Sequence, residues 1–347
     1  MDPSQVTPEW LTQALRESGH LPRGAVAGVQ ATTEPSYTST IARLTLTYTH
    51  DAPPGAPTRL FLKWSRLDAQ QRAVGGAQRR KEVEFHTAVA AMMPDPPLAH
   101  CYLAAYYEET GASHLLFDDM SETHFGGASS RPPDRPRCEA VMDAFAAFHA
   151  FWWDHPALPD LGDYPSQASI AADVADVADH LPRFADALGD RLTPSQRLLY
   201  DRALGSLPRL LQRKTQGRRL TLIHGDANLS NVLLPRDAGG RALIIDWQMW
   251  GIGFGAEDLS NLMALFWGRD DRHALERGLL ARYHAGLAQH GVADYSWLDC
   301  WHDYRLAAVT RVLFMPMWFW ATGQPPAQFE NAWQAFADLE CAELLTL

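Results

Sequence analysis

Apolar positions along this chain follow two different periods, and the change falls near residue 117. Before it, alternation dominates. QATTEPSYTSTIARLTLTY, residues 30–48, spaces Ile41, Leu44, Leu46 and Tyr48 as strand positions around a small polar turn. RLFLKW (59–64) and HLLFDDM (114–120) read as two more strands. A short amphipathic helix opens the chain, with Thr7 as its cap, Pro8 at its first position and Gly19 at its end. A second helix is predicted over RRKEVEFHTAVAAMM (79–93), where Glu82, Phe85, His86 and Val89 share one face.

Beyond the change the pattern is mostly helical. GGASSRPPDRPR (126–137) is a Pro- and Gly-rich loop, after which Val141, Phe145, Phe148 and Trp152 form one stripe. Thr193 and Gln196 make a capping box at the head of TPSQRLLYDRALGSL. The late run AAVTRVLFMPMWFWATG, interrupted by Arg311 and Pro316, is too short to cross a bilayer and reads as a buried helix. One hairpin breaks the helical series: Val232, Leu233 and Leu234 lead through the polar turn PRDAGGR into ALII. No internal repeat or low-complexity tract occurs.

The chemistry sits on that hairpin. HGDANLSN (224–231) carries Asp226 and, five residues on, Asn231; the acid of LIIDWQ, Asp246, follows fifteen positions later. In phosphoryl transfer of the kinase type, one Asp takes the proton of the acceptor hydroxyl, an Asn five residues later binds magnesium, and a second Asp beyond a short hairpin binds it too. A hairpin here would bring Asn231 and Asp246 to one end, two oxygen ligands for a hard cation that keeps its other sites for phosphate and water. Either half alone reads as a turn with a buried His or as a capping Asp. Together, at this spacing, they point to ATP-dependent transfer of a γ-phosphoryl group, with Asp226, Asn231 and Asp246 catalytic and Asn231 and Asp246 holding Mg2+.

Lysine usage supplies the other half of a nucleotide site. The chain has three lysines, Lys63, Lys81 and Lys214, against 27 arginines, so an ammonium stands out. Lys63 ends a strand-like run, and its slim point charge reaches between α- and β-phosphates where a planar guanidinium fits poorly. Glu82 on the next helix is the preferred partner, since its face also carries the apolar residues; Glu84 points the other way and competes.

HGD in place of HRD, with the acid of IDWQ behind it, resembles the aminoglycoside phosphotransferase and choline kinase group of small-molecule kinases. IDWQ, EVEFH and LLFDDM are similar to its ecdysteroid-kinase-like branch. The resemblance implies an α+β, two-lobed protein-kinase-like fold: a small lobe of antiparallel sheet plus helix, 1–117, for the nucleotide, and a larger, mainly helical lobe, 118–347, for catalysis and acceptor. It implies a hinge at Phe117, Asp118, Asp119 and Met120, whose backbone holds the adenine edge. It implies a Ser/Thr loop in place of a Gly-rich one, so Ser36, Thr38, Ser39 and Thr40 either cradle phosphate or tip a solvated hairpin. Asp258 takes the place of a family Asp that braces the catalytic loop, and His224 reads as a support for that loop.

Composition narrows the partners. With 30 basic against 41 acidic residues the net charge is −11, which repels a nucleic acid and suits a cationic or neutral hydroxyl acceptor. Four scattered cysteines make neither a zinc site nor a disulfide framework, and no signal peptide opens the sequence, so a cytoplasmic enzyme with no membrane span and no obligate protein partner is expected. The aromatic-rich second part, including Trp250, Trp267, Trp297, Trp301, Trp318, Trp320 and Trp333, either packs the core or walls an acceptor pocket. A protein kinase is disfavoured by the missing Gly-rich loop, by HGD, and by the lack of an APE-like segment after Asp246. A non-catalytic kinase-like module is disfavoured because every catalytic position is filled.

Overall fold

The computed structural model describes residues 6–35, 39–65, 76–237 and 239–345. They form two compact units, Met1–Phe125 with Leu243–Met249, and Gly126–Ala242 with Trp250–Leu347.

The first unit is built on a five-stranded antiparallel sheet. Helix α1 (Pro8–Glu17) starts as its sequence dictates: the Thr7 side chain accepts the Trp10 N–H at 3.2 Å and Pro8 fills the first turn. Strands β1 (Val26–Pro35), β2 (Ser39–Tyr48), β3 (Arg59–Ser65), β4 (Cys101–Tyr107) and β5 (Ala112–Asp118) lie in the order β1-β2-β3-β5-β4. Leu44 and Leu46 of β2, Leu60, Leu62 and Trp64 of β3 and Leu116 of β5 bury with Leu11 and Leu15 of α1. Because side chains alternate along a strand, Lys63 lies on the opposite face from Leu62 and Trp64, opposite Ile41 and Leu115 in register.

That face is served by α2 (Gly76–Glu84), whose path continues as a π turn over Phe85–Val89 and a 3-10 turn over Ala90–Met92. A uniform α-helix over 79–93 was the expectation from sequence. The wider turn still leaves Glu82, Phe85 and Val89 buried. A two-residue strand, Leu243–Ile244, joins this unit through the Ile244 N–H, which donates to the Pro97 carbonyl at 2.8 Å.

The second unit is mainly helical. Helix α3 (Arg135–Trp152) buries the Val141, Phe145, Phe148 and Trp152 stripe. Helix α4 (Gln167–Leu188) is capped by Ser166 and Ser169, and α5 (Pro194–Leu210) by the Thr193/Gln196 box. Strand β6 (Thr221–Ile223) precedes the HGD run, and β7 (Val232–Pro235) follows it. Strand β8 (Gly251–Gly253) pairs antiparallel with β6. Then come α6 (Ala256–Ser260), α7 (Arg269–Gln289), which packs along α3, α8 (Trp297–Leu313), α9 (Met315–Thr322) and α10 (Phe329–Asp338).

The late apolar run is not one buried helix. Its helix ends at Phe314 and a new one starts with Pro316 in its first turn, because proline has no N–H to continue the ladder. Only Met315 and Pro316 of α9 are buried, and Trp318 and Trp320 are 57% and 59% exposed. Trp250, Trp267 and Trp333, by contrast, are core. Among the described residues no helix is long and apolar enough to cross a membrane.

Candidate active site

In the first unit an ammonium is held between two carboxylates. Lys63 Nζ donates to Glu82 Oε1 at 2.7 Å, to Glu82 Oε2 at 2.9 Å and to Asp246 Oδ1 at 2.5 Å. Glu82, not the exposed Glu84, is the acid that meets Lys63. Burial by itself would depress the Lys63 pKa; the charges of Glu82 and then Asp246 outweigh it and keep the group above its ordinary value. The lysine is therefore a fixed cation. Replacing Glu82 with Gln leaves Asp246 as its only carboxylate partner among the described residues, so kcat/KM for ATP should drop on the order of 10²-fold through misplacement of Lys63. The exposed Glu84→Gln should stay within about twofold in the same steady-state assay. Equal losses would remove the distinction.

Asp246 is placed by its neighbour. Trp247 is fully buried, stacks on Phe85 at 4.1 Å with the rings 5° apart, and donates its Nε1–H to the Ile244 carbonyl at 3.2 Å. Phe85 is three residues from Glu82, so the helix that fixes Lys63 also anchors the turn that carries Asp246. Asp246 itself sits at φ +67°, a left-handed conformation that Asp and Asn tolerate better than most side chains. Such strain persists where the surroundings impose it.

His86 lies beside this triad, edge-on to Phe85 and Phe117 at 5.2 and 4.9 Å. Burial, then the Lys63 charge, push its pKa from 6.5 down to about 3. The unfolded chain binds a proton here near pH 6.5 and the folded one only near pH 3, so this contribution to stability is complete above that window and is lost as pH falls through it. Urea midpoints should decline on acidification from about pH 6.5, less steeply in His86→Phe; identical slopes would exclude His86 as a source.

The second unit holds the HGD loop. Gly225, at φ +82°, makes the turn after β6 that a side chain would strain. The Asp226 N–H donates to His224 Nδ1 at 3.2 Å. Asn231 Nδ2 donates to the Asp226 carbonyl at 2.8 Å and to Asp226 Oδ2 at 3.1 Å. The amide nitrogen of Asn231 is thereby directed at Asp226, and its oxygen is the donor atom left for a cation. Asn228 and Asn261 hold the intervening backbone: Asn228 Nδ2 donates to the Asp226 carbonyl at 3.1 Å and Asn261 Nδ2 to that of Ala227 at 2.9 Å. Asp258, fully buried, accepts the N–H groups of His224 at 2.6 Å and Gly225 at 2.9 Å. Burial pushes its carboxyl up, but the hydrogen bond to His149 and those to the loop outweigh it and hold it below the ordinary range.

Amide and carboxylate oxygens are the donor types a hard cation takes; Asn231 of the second unit has the first, and Asp246 of the first unit has a carboxylate oxygen that accepts no hydrogen bond from a described residue. Among the described residues no group of three or more His, Cys, Asp or Glu is arranged for a metal.

Other predicted residues have structural partners. Phe117 and Asp118 end β5. Asp118 accepts the Tyr102 hydroxyl at 2.6 Å, and Asp119 accepts from Arg43, Arg59 and the Ser121 N–H at 3.0, 3.3 and 3.0 Å. The N–H groups of Asp118 and Asp119 donate to the His100 and Arg59 carbonyls. Met120 begins a 3-10 turn capped by Asp119. Ser39 and Thr40 open β2, Ser39 buried and in register with Ser65, while Ser36 and Thr38 lie outside the described residues. Sequence reading passed over His149 and Tyr283, which hydrogen-bond each other inside the second unit. The one available signal was a histidine within an otherwise apolar helical stripe.

The sequence profile of the phosphotransferase enzyme family matches residues 77–298. Among curated proteins none matches significantly. A putative aminoglycoside phosphotransferase from Ralstonia eutropha superposes with a TM-score of 0.51, 16% identity and 97% of both chains covered. The ethanolamine kinase of Plasmodium vivax gives 0.55 at 10% identity, covering 90% of this chain and 82% of that one. An aminoglycoside phosphotransferase from Alicyclobacillus acidocaldarius gives 0.53 at 14%, with 92% and 91% covered. These likenesses concern the fold, a kinase-like one with an antiparallel-sheet first part and a mainly helical remainder. With its own sequence matching the family profile over nearly two thirds of its length, this chain belongs to the phosphotransferase enzyme family and is a small-molecule kinase.

Proposed function

We propose that this enzyme transfers the γ-phosphoryl group of ATP to a hydroxyl of a small, neutral or cationic molecule. The observation that carries the proposal is the Lys63–Glu82–Asp246 triad in a chain of this family. An ammonium kept charged by two carboxylates, one of them strained into place, suits phosphate better than it suits a purely structural ion pair. Residues 1–117 then serve the nucleotide and 118–347 serve catalysis and the acceptor.

Asp226 accepts the proton of the attacking hydroxyl and orients its oxygen. Asn231 holds the Asp226 carboxylate in place through its amide N–H and offers its amide oxygen to the cation; Asp246 is the second oxygen ligand. Magnesium, when bound, draws charge away from the phosphate oxygens. Lys63 neutralises the α- and β-phosphates, and the backbone of 117–120 meets the adenine edge. Positioning and charge stabilisation supply most of the rate, since the transferred group is only loosely bonded in the transition state.

The acidic chain favours acceptors such as aminoglycosides, ethanolamine or choline over anions, through the field of the whole protein. The test is a phosphate-transfer screen over hydroxylated antibiotics, amino alcohols, sugars and sterol-like alcohols with magnesium–ATP, read by mass gain of the acceptor. A single added phosphate that depends on Asp226 supports the proposal. A thermal shift by magnesium–ATP with no transfer to any acceptor class would favour a nucleotide-binding module instead.

A further inference from the structure

We propose that the cavity between α4 and α9 is a binding site for a small anion with a flat apolar body, an aromatic carboxylate in chemical class. The cavity lies wholly within the second unit, has a volume of about 240 Å3, and is lined by His180 and Arg183 of α4, Phe319 and Trp320 of α9, and Gly323 just past the end of α9. It owes nothing to the assignment of Asp226 as the base.

Two of the walls are aromatic and held in place. His180 stacks on Trp320 with ring centroids 4.9 Å and planes 19° apart, yet 59% of the tryptophan remains exposed, whereas Trp250 and Trp267 hide the same surface in the core. The indole is thus oriented with surface to spare. Phe319, half-buried, leans on the fully buried Phe184 at 5.8 Å and anchors the second wall to the core. Flat apolar walls with few polar groups are what small-molecule sites are built from.

Charge selects the anion. Asp179 and Asp186 stand four residues before and three after Arg183 on the same helix, the spacings at which a guanidinium meets a carboxylate. Arg183 pairs with neither, and it has no hydrogen-bond or ion-pair partner among the described residues; Arg191, Arg213 and Arg272 each meet an acid. None of the five lining residues is acidic, so an ammonium entering here would face Arg183 without a counter-charge, while a carboxylate would meet a planar fork that it can engage through both oxygens. The end of α9 is prepared for it. Gly323, at φ +70°, donates its N–H to the Phe319 carbonyl at 2.8 Å, and Thr322 Oγ1 donates to that of Trp318 at 2.8 Å, so two helix-end carbonyls that would repel an anion are occupied. A Cβ at Gly323 would meet nothing within 4 Å, which leaves the rim open there. Local charge therefore runs against the −11 of the whole chain, and the ligand is a second one, distinct from the neutral or cationic acceptor.

Calorimetric titration of the full chain with naphthoate tests the site, beside three probes: naphthalenemethanol, which keeps the ring without the charge, naphthylmethyl-trimethylammonium, which reverses the charge, and acetate, which has no ring. Naphthoate should bind one-to-one and about tenfold tighter than the alcohol, with the ammonium probe and acetate weaker than either. Arg183→Gln should bring naphthoate to within about twofold of the alcohol. Trp320→Leu should weaken both by about fivefold or more. Both side chains are exposed, so each variant should keep the native melting temperature. Naphthoate no tighter than the alcohol, tightest binding by the ammonium probe, or naphthoate affinity unmoved by Arg183→Gln or by Trp320→Leu would each overturn the proposal. Asp226→Ala should bind naphthoate as the native protein does, so lost turnover in that variant and lost binding in Arg183→Gln report on separate assignments.

Discussion

Asp226→Ala is expected to reduce kcat by about 10³-fold or more while leaving the Kd for magnesium–ATP within about twofold, because a positioned base contributes 10²- to 10⁴-fold and orientation of the acceptor is lost with it. The side chain has a built setting: Asn231 Nδ2 reaches Oδ2 at 3.1 Å, and the Asp226 N–H is fixed on His224. Removing the carboxylate leaves the Asp226 N–H on His224 and the Asp226 carbonyl on Asn231 and Asn228, so a drop in turnover without a drop in melting temperature is the signature of lost chemistry. Asp226→Asn is the closer control, since it keeps the volume and an oxygen for Asn231 but is no base. Turnover near native in both variants would reject the mechanism, whatever the family.

Asp246→Asn is expected to be nearly as damaging, and in a different parameter. Here the affinity for magnesium–ATP should weaken at least tenfold as well, with kcat/KM down on the order of 10³-fold, since a hard cation loses its anionic ligand. Asn is the informative replacement because the site is at φ +67°, where Asn and Asp are tolerated and Ala is not, so backbone strain is held constant while charge is removed. Lys63 would keep Glu82 at 2.7 Å but lose one of its two carboxylates, so titration with ATP alone is the control that separates the lysine's share from the metal's. Isothermal titration with magnesium–ATP measures the loss of affinity. Native affinity in Asp246→Asn would remove Asp246 from the metal site.

The two expectations differ because the two acids were legible in different ways. Asp226 and Asn231 lie five residues apart on one loop, and that interval is covalent, so sequence alone carries it. The stripe of α3, the two caps at Thr7 and Thr193 and the alternation in β2 and β3 were equally local: each depends on the helical or strand repeat and on neighbours within one turn. Even the choice of Glu82 over Glu84 followed from which face of the helix is apolar.

What depended on contacts distant in sequence was not legible. The stack of Trp247 on Phe85, 162 positions earlier, and the left-handed backbone at Asp246 have no local signature. The break of the late apolar run at Phe314 left Trp318 and Trp320 in solvent, although hydropathy alone placed them in a core. His149, passed over in the sequence, has its ring between Tyr283 and Asp258, 134 and 109 residues away.

Sequence by itself determined the chemical inventory of this protein and the local frame that carries it: one loop with an acid and an amide at fixed spacing, one strand lysine, one helix with a buried acid, and the alternation that gives a sheet first and helices afterwards. Tertiary structure alone decided which of those groups bear on one another, which carboxylates hold Lys63 and how Asp258 is satisfied. The physical reason is that periodicity and capping are set by bonds a few residues long, whereas ion pairing and hydrogen-bond satisfaction in a dry interior depend on groups brought together only when the chain has packed.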